Sequence, residues 1–337
     1  MAGLIFRRFL WFIPVIFIIS LITFVLMHAA PGGPWDRDSD AKQVPESVQA
    51  LLNKRFGLEK SLPDQYISYM IGYTDADTGE FTCGAVCGNL GPSYRQRGRM
   101  VQDVLFAPPL DDNGDPKSFF ESKFGYSIRL GLMALAIALT VGVPCGVIAA
   151  LRHNSAIDYF ITFITNIGVA VPSFVVAFFS IVVLAVDLKL MLVNQKDWTN
   201  ASAWIVPAIV FGFGTMAQTA RFTRASMLEV LRQDFVRTAR AKGLTEKFVI
   251  WKHTLRNALI PVITTIGPAL AGLITGSIVI EVIYGIPGVG KDFVFSINNR
   301  DYSLIMGTTL LYSVLIVLGN LTVDILYGVV DPRIRVD

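Results

Sequence analysis

Residues Tyr284 to Phe293 read YGIPGVGKDF, and Gly285, Gly290 and Lys291 fall at the spacing of a G-x-x-x-x-G-K phosphate loop. In such a loop the glycines let backbone N–H groups close on a nucleotide, and the lysine meets its outer phosphates. The next position should be Ser or Thr, to hold magnesium. Here it is Asp292, an anion where phosphate already crowds. Other reactive groupings are sparse. His28, His153 and His253 lie far apart, and neither H-E-x-x-H nor G-x-S-x-G occurs, so hydrolase chemistry finds no support. Cys145 sits in an apolar run and reads as a small packing residue. Cys83 and Cys87, in FTCGAVCGN, have no further His or Cys nearby to complete a metal site, which favours a local disulfide.

The elements that must position these residues are apolar helices. Hydrophobic residues make up 53% of the 337, charged residues only 16%, and mean hydropathy is +0.54. Those values belong to a membrane protein. About 20 apolar residues of helix cross a bilayer. Six stretches are long enough: Phe9 to Ala30, Gly131 to Leu151, Tyr159 to Val186, Ala203 to Ala220, Val262 to Ile283 and Leu304 to Val329. The first follows Arg7 and Arg8, but it is too long for a signal peptide and lacks an A-x-A site, so it reads as an anchor. With the N-terminus inside, fourteen basic residues fall in inner segments, nine of them between Arg221 and Arg256. The two short outer loops hold four: Lys189, Lys196, Lys291 and Arg300. Both termini are therefore expected in the cytoplasm. The GIPGVGKD loop then faces outward, away from ATP, and Gly and Pro there serve to turn the chain. The net charge of +3 follows from the same inner bias and carries no sign of nucleic-acid binding.

The expected organisation is a first helix over residues 1–30, an extracytoplasmic region over 31–127, and a five-helix core over 128–337 with an inner loop at 221–260. In the outer region PESVQALLNKRFGL sets Val48, Leu51, Leu52 and Phe56 on one helical face, and PDQYISYMIGY continues with Tyr66, Tyr69 and Met70. PPLDDNGDPKS is turn chemistry and reads as a mobile insertion. In the inner loop RASMLEVLRQDFVRTARAKGL has Leu228, Leu231, Phe235 and Ala239 at helical spacing and reads as one amphipathic helix. Gly243 ends it, and Thr245 caps a second helix carrying Leu244, Phe248, Trp251 and Leu255 on one side. A helix pair lying on anionic lipid is an alternative reading of the same pattern.

RTARAKGLTEKFVIWKHTLRNALIPV resembles the cytoplasmic loop of the membrane permeases of ATP-binding-cassette (ABC) importers. Their E-A-A-x-x-x-G signature becomes Arg237, Thr238, Ala239 and Gly243 here, with Arg in place of Glu. That departure, with ARAKGL and LRNALIP, resembles the dipeptide, oligopeptide and nickel branch. RRFLWFIPV, APGGP, FGLEKSLPDQY, GNLGPSY, AVPSF, VIYGIPGVGKDFVFSINNRDY and DILYGVVDPRIR agree in order across almost the whole chain, and APGGP is similar to that of the B-type subunit. The insertions around Thr74 to Gly88 and Pro108 to Lys123 depart from the short family form.

The resemblance implies an all-α, type I importer permease of six transmembrane helices in a bacterial or archaeal cytoplasmic membrane, with no catalytic residues of its own. It implies a second homologous permease subunit, two cytoplasmic ATPases that use ATP and Mg, an extracytoplasmic solute-binding protein, and alternating access. It also implies a coupling helix docking the ATPase through Arg237, Thr238, Ala239, Arg240, Ala241, Lys242, Gly243 and Leu244. Small and polar residues mark a candidate pathway: Pro172 and Ser173 at an irregularity in the third span, Gly212, Thr215 and Thr219 in the fourth, and Thr265, Gly272, Thr275 and Gly276 in the fifth. Such residues serve close helix packing equally well. Ionisable groups within the spans are few, chiefly Glu281 and Asp324 near span ends, which makes an ion-coupled secondary transporter the weaker alternative. A receptor or scaffold is a third class. A pathway without fixed charge suits peptides, while nickel complexes and oligosaccharides remain open.

Overall fold

The computed structural model describes residues 2–35, 45–74, 80–96, 98–111, 113–192, 195, 197–275 and 277–330. In chain order its helices are α1 (Ala2–Ala29), α2 (Glu46–Arg55), α3 (Leu62–Met70), α4 (Val101–Phe106), α5 (Lys123–Leu151), α6 (Ala156–Ala170), α7 (Ser173–Ser180), α8 (Ser202–Val230), α9 (Asp234–Ala241), α10 (Glu246–Phe248), α11 (Leu255–Ala258), α12 (Ile260–Thr275), α13 (Ile278–Tyr284), α14 (Val289–Asn298) and α15 (Tyr302–Val330). π-helical turns continue α7 through Ile181–Asp187 and join α10 to α11 through Val249–Thr254. Strands β1 (Gly72–Thr74) and β2 (Phe81–Cys83) pair antiparallel, Gly72 opposite Cys83.

Among the described residues four helical stretches are long and apolar enough to cross a membrane: Leu10–Ala29, Lys123–Leu151, Ser202–Val230 and Tyr302–Thr322. The third expected span is instead two helices, α6 and α7 with its π-turn, bent by 105°. Pro172 is the cause. It has no N–H to continue the ladder, and it forces Val171 into extended backbone, φ −90° and ψ 124°. Counted as one span, this pair makes five. The fifth expected span is divided too, into α12 and α13.

The chain divides into two compact units. One holds residues 1–8, 127–286 and 315–337; the other holds 9–126 and 287–314. In the first unit α8 is the central helix, and α5 approaches it closely because glycines face its backbone. A Cβ on Gly146 would lie 2.5 Å from the Ala220 carbonyl oxygen, and one on Gly142 would lie 2.7 Å from that of Met216. Gly212 on α8 returns the contact, 2.6 Å from the Ala134 oxygen. Between α8 and α12 the chain does not form the single amphipathic helix expected. α8 stops at Val230, residues 231–233 turn, and α9 starts afresh at Asp234. The reversal lets Val236 and Ala239 bury against Met227, Val230, Val249, Leu255 and Ala258. Fully burying a side chain the size of Val236 yields about 1.5 to 3 kcal/mol, which offsets helical bonds lost at the turn.

In the second unit Asp301 caps α15 and gathers a distant segment. Its carboxylate accepts the Ser93 hydroxyl and the N–H groups of Tyr94 (3.0 Å), Arg95 (3.3 Å) and Leu304 (3.2 Å). GNLGPSY is thereby tied to NNRDY. Cys83 and Cys87 form a disulfide, with Cα atoms 5.9 Å apart. The β-hairpin ahead of it had no alternating pattern to announce it. PPLDDNGDPKS is a closed turn: Asp111 accepts the Asn113 and Asp115 N–H groups at 2.9 Å, and Leu110 bridges Pro116.

Candidate functional site

The phosphate-loop reading ends in the geometry of Gly285 to Asp292. Gly285 adopts φ +71° and terminates α13, the left-handed role that glycine fills at helix C-termini. Val289 and Gly290 are buried at the start of α14. Lys291 places its ammonium 5.8 Å from the centre of the Phe295 ring, and Asp292 pairs with Lys123 at 2.5 Å. Burial pushes the Asp292 carboxyl above its usual range despite Lys123, Lys291 and Arg99 nearby.

The first unit contains a cavity of about 1190 Å³ walled by α6, α8 and α12. Of the small and polar residues singled out in the sequence, Ser173, Thr215, Thr219, Thr265 and Gly272 line it. Gly212 does not; it is spent on packing against α5. Pro172 sits at the bend beside it, the side chain of Thr275 lies outside the described set, and so does Gly276. Sequence reasoning missed Asn166, Gln218, Arg221 and Arg224, which also line the cavity, so its wall is not free of fixed charge. The missed signal was an arginine late in a long apolar helix. Arg224 is anchored: its guanidinium forms two bonds to Asp158, at 2.6 and 2.8 Å, and Asp158 also accepts the Asn154 N–H at 2.9 Å. The Asp158 to Arg224 pair fixes the start of α6 to the last turns of α8.

The other candidate is the α9 turn. Asp234 stands in its first turn and Arg240 in its last, both complementing the helix dipole. Arg240 pairs with Glu246 at 2.7 Å across the turn, and that partner holds the Glu246 carboxyl below its usual range. Gly243 lies between them at φ +78°, with open space where a Cβ would stand. Of the eight residues expected to dock a partner, Arg237, Thr238, Arg240, Ala241, Lys242, Gly243 and Leu244 are exposed, and Ala239 is buried in the chain's own core. Phe235, Phe248 and Trp251 add exposed apolar surface, Trp251 at 69%. The second helix does not bury one continuous side: Val249 and Leu255 point in, while Leu244, Phe248 and Trp251 point out.

Residues 142–336 match the family described as binding-protein-dependent transport system inner membrane component, and residues 1–110 match the N-terminal region of such components. The dipeptide transport system permease protein DppB of Bacillus subtilis is 40% identical over 99% of this chain and 98% of its own length. The oligopeptide transport system permease protein OppB of Salmonella typhimurium is 37% identical over 99% of this chain and all of its own. Among solved structures, an inward-facing MetNI methionine ABC transporter superposes with a TM-score of 0.50 at 16% identity, over 62% of this chain and 94% of that one. That likeness concerns the fold.

Proposed function

The chain belongs to the inner membrane components of binding-protein-dependent transport systems, and on that premise we propose that it is the pore-forming permease subunit of an ATP-driven importer of short peptides. The full-length likeness to dipeptide and oligopeptide permeases supports the substrate class. Six spans with both termini in the cytoplasm are the topology the charge distribution favours, counting the bent pair and the divided fifth stretch as one span each. A homologous second permease completes the pore, two cytoplasmic ATPases supply ATP and Mg chemistry, and a solute-binding protein delivers peptide from outside. This chain does no bond-breaking of its own.

The α9 turn carries the reading. It is a short helix braced from within by Val236 and Ala239, with a polar and apolar outer edge left open. Movement of a docked ATPase passes through that rigid turn into the end of α8, and from α8 into the cavity wall. In the reconstituted complex, Leu244→Asp should leave membrane insertion intact yet cut ATPase co-purification and peptide uptake together. Gly243→Val, which forces a β-branched residue to positive φ at about 1 to 3 kcal/mol, should do the same. Normal uptake by both variants with ATPases bound at full stoichiometry would refute the coupling role. Altered dependence on anionic lipid with coupling unchanged would identify a surface helix instead.

A further inference from the structure

The second unit contains its own cavity, of about 550 Å³, at the outer ends of α1 and α3 and the start of α15. Its aromatic wall is continuous. His28 lies 5.1 Å from Tyr302, Tyr302 lies 6.0 Å from Tyr94, and Tyr94 lies 4.3 Å from Phe56, ring centre to ring centre. The disulfide hairpin forms the opposite wall through Cys83, Gly84 and Asn89. Gly84 permits the close approach, since a Cβ there would lie 2.4 Å from the Tyr69 carbonyl oxygen. Asn89 donates to the Cys83 carbonyl at 3.0 Å and holds the hairpin's end.

Two polar atoms in this cavity are buried with no hydrogen-bond partner among the described residues: His28 Nε2 and the Tyr69 hydroxyl. Buried polar atoms are almost always satisfied, so a pair of orphans in one cavity points to something that fills it. His28 Nδ1 lies 2.9 Å from the Phe24 carbonyl, which only accepts, so Nδ1 carries a proton, and in that tautomer Nε2 is an acceptor. Burial pushes the Tyr69 phenol above its usual range, keeping it a donor. Lys54, Arg55 and Lys60 also line the cavity, and none is in an ion pair among the described residues. A ligand matched to this cavity would offer an N–H and accept from a phenol, and an anionic end would meet the three cations, which are exposed at its rim.

We propose that this cavity is a second binding site for a small zwitterion, a short peptide whose carboxylate meets Lys54 and Arg55 while an amino or amide N–H meets His28 Nε2. The choice of peptide rests on the importer reading above; a zwitterionic phospholipid headgroup offers the same groups. The disulfide insertion thereby gains a role as the wall of the site.

The test uses the full chain with its partner subunits but without the binding protein, in phosphatidylcholine nanodiscs, with radiolabelled tri-alanine as probe. Saturable binding is expected. Tyr69→Phe removes only an orphan hydroxyl, so it should keep or raise the melting temperature while weakening binding about tenfold. The K54Q/R55Q pair should weaken binding and flatten its salt dependence, and the peptide amidated at its C-terminus should compete poorly. Absence of saturable binding, or equal binding by Tyr69→Phe, overturns the proposal. So does a phospholipid that co-purifies with the wild type, is lost in Tyr69→Phe and is not displaced by peptide. Either failure leaves the importer reading standing if loaded binding protein still drives uptake; loss of uptake in the wild type would refute that reading instead.

Discussion

Asp292 shows how the residue that breaks one motif can serve another purpose. It occupies the position where a phosphate loop needs a hydroxyl, and it forms a largely buried pair with Lys123. Burial raises its pKa above the unfolded value, so the folded state holds the proton more tightly. By linkage its contribution to stability is full at low pH and is lost as pH rises through the raised pKa. Asp292→Asn should therefore flatten that decline, and its loss of stability at neutral pH should be smaller than that of Lys123→Met, because Lys123, 28% exposed, can be solvated when its partner is removed. Lys123→Met leaves the carboxylate without its main partner and should destabilise by up to about 3 kcal/mol. Thermal melts of both variants between pH 4 and 8, at roughly unit steps across the carboxyl range, check the sign. A larger loss in Asp292→Asn than in Lys123→Met would contradict it.

At the scale of elements, glycine and alanine separate packing from contact with partners. Gly146→Ala should push α5 off α8 and cost about 1 to 3 kcal/mol, the usual penalty for overpacking, read as a lower melting temperature. Ala239→Asp buries a charge in the core under α9, and so should lower the yield of folded chain rather than only uncouple it. Arg237, 73% exposed, should tolerate Arg237→Glu with a change in stability below about 0.5 kcal/mol, and any loss of uptake would then report docking alone. The sequence made α2 and α3 legible, because Val48, Leu51 and Leu52 and then Tyr66, Tyr69 and Met70 keep a helical period. It did not show the break at Val230, where no Gly or Pro interrupts the pattern and burial of Val236 and Ala239 decides the matter.

For the whole molecule, topology is the property most open to test. Ser296 faces outward in the charge-based topology but is itself buried, so a thiol there would react poorly. Asn298 on the same helix is exposed. In a background without native cysteines, Asn298→Cys should be labelled by an impermeant maleimide in intact cells, and Ala241→Cys only after permeabilisation. Labelling of Ala241→Cys in intact cells would reverse the topology. What the sequence determined alone was the family and the presence of several long apolar helices, because the order of short motifs and hydropathy are local properties of the chain. AVPSF even marked the place of the 105° bend, since proline's missing N–H acts where it stands. Only the tertiary structure decided which small residues line the cavity and which hold helices together. Thr215 and Gly212 lie one turn apart on α8 with similar composition around them, yet one faces the cavity and the other the Ala134 carbonyl. The joining of Asp301 to Ser93, and of His28 and Tyr69 around one cavity, is likewise a long-range contact, fixed by packing between segments whose own sequences carry no record of each other.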